Sequence, residues 1–231
     1  MIEAKKLFFR YEDDYVLENA SMHVNEGVIT AIIGANGSGK TTLAKHLNGL
    51  LIPKKGDVFV DGISTKKDEF NARKKVGFVF QNFEDQIVYP VVEEDISFGL
   101  ENIGLGSNDV KIIVKKTMEG LGIGNLAKKN VNTLSIGQRQ LVAIAGVLAM
   151  EPKYAVFDEP ATMLDPINRK KIMSTIKRIS REGITPILVT NSMDDLKYAG
   201  KVVVMKSGKV IFEGKKSELK NGIIKKAGIY A

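Results

Sequence analysis

Gly34-Ala35-Asn36-Gly37-Ser38-Gly39-Lys40-Thr41 satisfies the pattern G-x-x-x-x-G-K-[ST], directly after a β-branched run and directly before a helical one. Glycines let successive backbone N–H groups turn into one concavity that holds anionic oxygens. The N-terminus of the following helix adds positive potential. Lys40 suits the β- and γ-phosphates of a nucleotide, and the Thr41 hydroxyl suits Mg²⁺. Gly34, Asn36, Gly37, Ser38, Gly39, Lys40, Thr41 and Thr42 are therefore the expected phosphate-binding residues. Such a loop needs a carboxylate at the end of a neighbouring strand. Tyr154-Ala155-Val156-Phe157-Asp158 supplies one, and Glu159 follows where a base can polarise an attacking water. A strand ending in Asp-Glu-Pro is common loop chemistry by itself; beside a phosphate loop it reads as a triphosphatase centre.

Two further segments carry more than one reading. Leu134-Ser135-Ile136-Gly137-Gln138 opens a helix, with Ser135 and Gln138 spaced as a capping box. The functional alternative is a second anion site made by Ser135 and the Gly137 backbone. Asp165 before Pro166 is a plain helix start, N-cap followed by Pro at N1, and is also placed in a loop shortly after Glu159.

The elements needed to hold these groups follow from periodicity. Short apolar runs at Leu7-Phe8-Phe9 and Val16-Leu17 predict two short strands about the turn Glu12-Asp13-Asp14. Val28–Ile33 has almost no polar alternation, as expected of a strand buried on both faces. A helix is predicted over 41–50, a half-exposed strand ending in a turn over 57–62 and another strand over 76–80. From about Val92 to Met150 the β signal disappears, with helices predicted over 111–121 and 138–150. Strand 154–157, helix 166–181, strand 186–190 and a hairpin over 202–212 follow. The expected architecture is α/β: one domain spanning 1–231, with a core over 1–91 and 151–231 and a helical insertion over 92–150.

Composition removes other chemistries. The 231 residues, 44% apolar and 26% charged, are ordinary globular material. With no cysteine, thiolate catalysis and Cys-ligated metals are excluded, and two histidines leave little for a His-based metal site. The formal charge of +7 is dispersed: no basic run exceeds Arg73-Lys74-Lys75, so a solvated Lys-rich surface is expected and no nucleic-acid partner. Glu3, Lys5 and Lys6 stand where a secretory signal needs apolar residues. The longest apolar stretch, Leu141–Met150, falls far short of the roughly 20 residues a membrane helix needs.

GANGSGKT (34–41), the Gln81 loop, LSIGQ (134–138), YAVFDEP (154–160) and the Leu164-Asp165 loop together resemble the nucleotide-binding subunits of ABC transporters. The resemblance implies a P-loop (RecA-like) core with an N-terminal antiparallel β subdomain and an inserted helical signature subdomain. It implies ATP and Mg²⁺ as ligands, and two cassettes, alike or different, pairing head to tail so that each P-loop faces the other's signature. On that pattern Tyr11 stacks on adenine (Tyr15 is the nearby alternative), and Gln81 and Asp158 join Thr41 around Mg²⁺. Glu159 is the base, Lys40 and Gln81 assist it, and Ser135, Gly137 and Gln138 contact the partner's nucleotide. Asp165 communicates across the dimer. Gln81-Asn82-Phe83-Glu84-Asp85-Gln86 and Val92–Gly99 are similar to the energy-coupling-factor and cobalt/nickel importer group. That implies a motor on the cytoplasmic face of the membrane, leaning on an integral membrane subunit through the Gln81 region. The other classes are a soluble ABC-type ATPase acting on nucleic acid or ribosomes and a low-activity regulatory subunit.

Three departures mark the chain. Asn191 stands where the family has a catalytic histidine; an amide donates a hydrogen bond but relays no proton, so slow hydrolysis is expected. Ile136 replaces a usual glycine and Leu141 a usual arginine. The sequence ends at Ala231, without the extra C-terminal region common in the subgroup, so ATP is expected to be the main dimer glue.

Overall fold

The computed structural model describes residues 1–229. Strands β1 (Ile2–Arg10) and β2 (Tyr15–Val24) lead into β3 (Thr30–Gly34) and α1 (Lys40–Leu47). Next come β4 (Lys55–Val60), β5 (Ile63–Ser64), α2 (Glu69–Lys75) and β6 (Val76–Val79). Helices α3 (Val92–Asn102), α4 (Ser107–Gly120) and α5 (Ile136–Ala149) precede β7 (Tyr154–Asp158), α6 (Pro166–Arg181) and β8 (Thr185–Thr190). A hairpin of β9 (Lys201–Lys206) and β10 (Lys209–Lys215) and the short α7 (Asn221–Lys226) complete it.

Two sheets result. The first is antiparallel, in the order β2-β1-β4-β5; the second runs β10-β9-β3-β8-β7-β6, parallel throughout except for β10. The fold is thus the expected α/β P-loop core with a separate antiparallel sheet and inserted helices. In the parallel strands alternate side chains enter different cores, which is why their sequences read as unbroken apolar runs. Val156 and Val189 pack toward the antiparallel sheet and α1 with Leu43, Leu47 and Met22. Ala155, Phe157 and Leu188 pack on the other face, under α5 and α6 with Val142, Ile144 and Ile176. Trimming a fully buried member such as Leu43 to Ala is expected to cost roughly 2–5 kcal/mol.

Several predicted boundaries are corrected. The runs 7–9 and 16–17 are inner stretches of long paired strands. Their alternation is broken by register shifts along β1 beside Lys6, which sits at φ 49°. The strand expected from Val28 begins at Thr30, and the helix expected from Gln138 begins at Ile136. Helices α2 and α7 lie where none was predicted, and α3 lies in the predicted helical insertion, where it had no bounds of its own. α3 buries only Val92, Ile96 and Leu100, a stripe too thin to stand out among Glu93, Glu94 and Asp95.

Candidate nucleotide site

The site occupies the carboxyl ends of β3, β7 and β8, where open parallel sheets collect ligand-binding loops. Gly37 and Gly39 have φ of 76° and 96°, and Gly39 is the N-cap of α1. A side chain at Gly39 would also come within 2.9 Å of the Val16 carbonyl, so the position needs glycine twice over. Ser38 N–H donates to the Ala35 carbonyl at 3.1 Å, closing the loop, while the Gly208 amide is held by the Ser38 carbonyl at 3.0 Å. The Ser38 hydroxyl is buried without a protein partner, as a group kept for a ligand's oxygen would be. Asn36 and Gly37 are exposed at the rim; Gly34, Ser38 and Lys40 are buried. Thr42 lies inside α1, where its carbonyl takes the Nδ1–H of His46 at 2.7 Å. Full burial pushes the His46 imidazole down to about 4, so that ring is neutral.

Lys40 Nζ donates to the carbonyls of Gly34 and Ala35 at 2.9 and 3.1 Å. Burial lowers its pKa, opposed by the nearby charges of Glu159 and Asp158. Thr41 Oγ1 donates to Asp158 Oδ1 at 3.1 Å, joining the loop to the end of β7 across the sheet. Asp158 is 2% exposed; burial first, then the charge of Glu159, pushes its pKa from 3.8 to about 6. A hydroxyl and a carboxylate meeting at the base of a phosphate cradle are the hard oxygen donors Mg²⁺ takes alongside phosphate oxygens. Among the described residues no group of three or more His, Cys, Asp or Glu is arranged to hold a metal ion by itself.

Glu159 has φ 45°, an uncommon conformation for a non-glycine residue. It is held there by its own N–H, which donates to the Val189 carbonyl of β8 at 2.9 Å. Its Oε2 accepts from Gln81 Nε2 at 3.2 Å and from Thr162 Oγ1 at 3.1 Å. The structure therefore brings Gln81, Thr41, Asp158, Glu159 and Lys40 together. Gln86 fixes the segment after Gln81: its Oε1 accepts from Phe80 N–H at 3.2 Å and its Nε2 donates to the Ala143 carbonyl of α5 at 2.7 Å.

The remaining predicted residues lie apart. Asn191 follows β8, exposed, in the loop beside Glu159's backbone partner. Ser135 and Gln138 form the expected capping box on α5: Ser135 Oγ accepts from Gln138 N–H at 3.3 Å and Gln138 Oε1 accepts from Ser135 N–H at 3.0 Å. Among the described residues no hydrogen bond joins 134–138 to the P-loop. Asp165 caps α6, its Oδ1 accepting from Ile167 and Asn168 N–H at 2.9 and 3.1 Å; these bonds hold the carboxyl below its ordinary range. Asn168 packs so closely on Gly137 that a side chain there would meet it at 2.7 Å. Tyr11 is exposed in the turn after β1, edge-on to Phe9 at 4.9 Å, and Phe9 is edge-on to His46 of α1 at 4.7 Å. Tyr15 instead meets Phe8, outside that core. Tyr11 is therefore linked to the P-loop helix through Phe9. Ile136 is exposed within the signature and Leu141 is buried within α5.

Sequence reasoning missed Thr162, Asn168, Arg169 and Asp195. Each is a common residue in a segment without a motif; Asn168, Arg169 and Asp195 gain their significance from partners distant in sequence, and Thr162 from the turn that brings its hydroxyl onto Glu159.

Comparison with known proteins agrees with this geometry. The family model described as ABC transporter matches residues 17–162. The chain is 42% identical over 226 residues to the energy-coupling factor transporter ATP-binding protein EcfA1 of Clostridioides difficile (strain 630), spanning 95% of this chain and 82% of that one. It is 43% identical over 215 residues to the cobalt import ATP-binding protein CbiO of Syntrophus aciditrophicus (strain SB), spanning 91% and 77%. Among solved structures, CbiO1 of Clostridium perfringens, part of the complex cbiONQ, superposes with a TM-score of 0.86 at 35% identity over 98% of this chain and 94% of that one. The cassette MJ0796, as a dimer in a post-hydrolysis state with ADP and Pi, superposes with a TM-score of 0.82 at 27% identity over 93% and 98%.

Proposed function

Because the chain belongs to the ABC transporter family, we propose that it is the ATP-hydrolysing motor subunit of an importer for a vitamin or a transition-metal ion. It pairs around ATP with a second cassette, alike or different, and drives a membrane subunit from the cytoplasmic face. Among the described residues no helix is long and apolar enough to cross a membrane, which suits a subunit that works through a partner. The observation that carries this reading is the convergence of Lys40, Thr41, Gln81, Asp158 and Glu159 at the carboxyl end of the parallel sheet.

In this reading the amides of 37–42 bind the β-phosphate, and Lys40 exchanges its two carbonyl partners for phosphate oxygens. Tyr11 offers its face to the adenine. Thr41, Asp158 and Gln81 would hold Mg²⁺, which would neutralise charge on the transferred phosphoryl group. Glu159 orients the attacking water and takes its proton, and Gln81 and Thr162 aim its carboxylate. The Asn191 amide donates to the γ-phosphate. Ser135, Gly137 and Gln138 serve the partner's nucleotide, and Asp165 lies at the contact between cassettes. The segment 92–150 is the helical subdomain, and the membrane subunit is engaged through the Gln81 region.

The test is Mg²⁺-dependent ATP turnover of the assembled dimer. Glu159→Gln is expected to lower kcat by roughly 10²–10⁴ while ATP affinity stays within about twofold. Unchanged turnover would remove Glu159 from its role.

A further inference from the structure

An ion pair in the first turn of α6 spans the two loops beside the reacting end of the site. Arg169 Nη2 donates to Asp195 Oδ1 at 2.7 Å, and its Nη1 reaches the carbonyl of Ala161, in the loop after Glu159, at 3.5 Å. Asp195 is 4% exposed, and its other oxygen accepts from Thr190 Oγ1 at 2.6 Å. Thr190 Oγ1 in turn accepts from Ser192 N–H at 3.0 Å. That last bond closes a turn whose central residue is Asn191. A continuous chain of hydrogen bonds therefore runs from the peptide after Asn191, through Thr190 and Asp195, to a guanidinium that also holds the loop of Glu159.

We propose that Arg169 is a positioning residue for Asn191, acting through Asp195 and Thr190; the proposal rests on the reading of Asn191 as a donor to the γ-phosphate. A buried ion pair is weak evidence for stability, since apolar residues of similar volume often serve as well. This pair does what apolar residues cannot: it fixes the directions of two loop backbones with oriented bonds. Asn191 makes no side-chain hydrogen bond among the described residues, so its orientation is inherited from the turn beneath it. Displacing a positioned group by about 1 Å can cost on the order of 10²-fold in rate. Arginine is required because one planar fork serves two acceptors, which a lysine ammonium on its flexible stem does not match.

The test compares Arg169→Met, Arg169→Lys and Thr190→Val in the assembled ATPase. Thr190→Val breaks the relay while leaving the ion pair intact, so it reports even if Arg169→Met fails to fold. Each variant is expected to lower kcat about tenfold or more with KM for ATP within about twofold. Combined with Asn191→Ala, Thr190→Val should add nothing to the loss from Asn191→Ala alone, because both remove the same contact. Effects that multiply, or a Thr190→Val enzyme with normal kcat, would overturn the proposal. Amide hydrogen exchange over 190–195 separates the two levels, since Thr190→Val should accelerate it whatever Asn191 does. Faster exchange with an Asn191→Ala enzyme of normal kcat would overturn the donor role of Asn191, whereas unchanged exchange would overturn the brace itself.

Discussion

The P-loop region and the signature region differ in how their polar groups are held. Around the P-loop, Lys40, Ser38 and Asp158 are buried, Thr41 is bonded across the sheet to Asp158, and Glu159 is held at positive φ by β8. Around the signature, Ser135 is exposed and its hydrogen bonds are satisfied within its own helix start. The first arrangement carries costs that only a ligand offsets: a desolvated lysine, a carboxyl pushed up to about 6, and an unpartnered buried hydroxyl. The second is complete as a helix cap and becomes a binding surface only when something is brought to it. One region is a site made by the fold; the other, in the proposed dimer, is a surface presented to another cassette.

The comparison breaks first at Lys40. Lys40→Met should reduce ATP affinity of the single chain by at least tenfold, roughly 1.4 kcal/mol or more, whereas signature substitutions should not; titration calorimetry or nucleotide fluorescence checks this. An effect of opposite sign is expected at Asp158. Its folded pKa of about 6 lies above its ordinary 3.8, so the folded state binds this proton more tightly than the unfolded chain. Stability of the nucleotide-free protein therefore falls as pH rises from about 4 to about 6 and is level above that. Asp158→Asn should remove the penalty, stabilising the chain at neutral pH by on the order of 2–3 kcal/mol while abolishing Mg²⁺-dependent turnover. Urea denaturation at pH 5 and 7.5 tests the sign, and a variant less stable than the parent at pH 7.5 would contradict it. For the same reason the Mg²⁺ requirement should rise as pH drops below about 6. The smallest change is expected at Asn191: Asn191→His should raise kcat by roughly threefold to tenfold by restoring a group that titrates near neutrality. No increase under saturating ATP would show that hydrolysis is limited elsewhere.

The same contrast explains what the sequence made legible. The P-loop and Asp158 stand in short motifs whose spacing is the chemistry, and the parallel strands announce themselves because both faces are buried. The capping box was legible because a helix cap is local. The strained backbone of Glu159 was not, because it depends on a carbonyl of β8, thirty residues away in sequence. Nor were Arg169, Asp195 and Thr190, whose side chains have ordinary local alternatives and acquire meaning only in contact. The length of β1 and β2 was hidden by Lys5-Lys6, where a bulge interrupts the alternation that reveals a strand.

The central claim, that Ser135 acts on another cassette's nucleotide and not on its own chain's, is tested most directly by Ser135→Asp. Aspartate is as good an N-cap as serine, so α5 and overall stability should be kept within about 0.5 kcal/mol. Its charge, however, opposes a partner's phosphates. Measured side by side, ATP affinity of the single chain should stay within about twofold, while turnover of the assembled dimer falls at least tenfold. Turnover retained in full, or an affinity loss like that of Lys40→Met, would contradict the account.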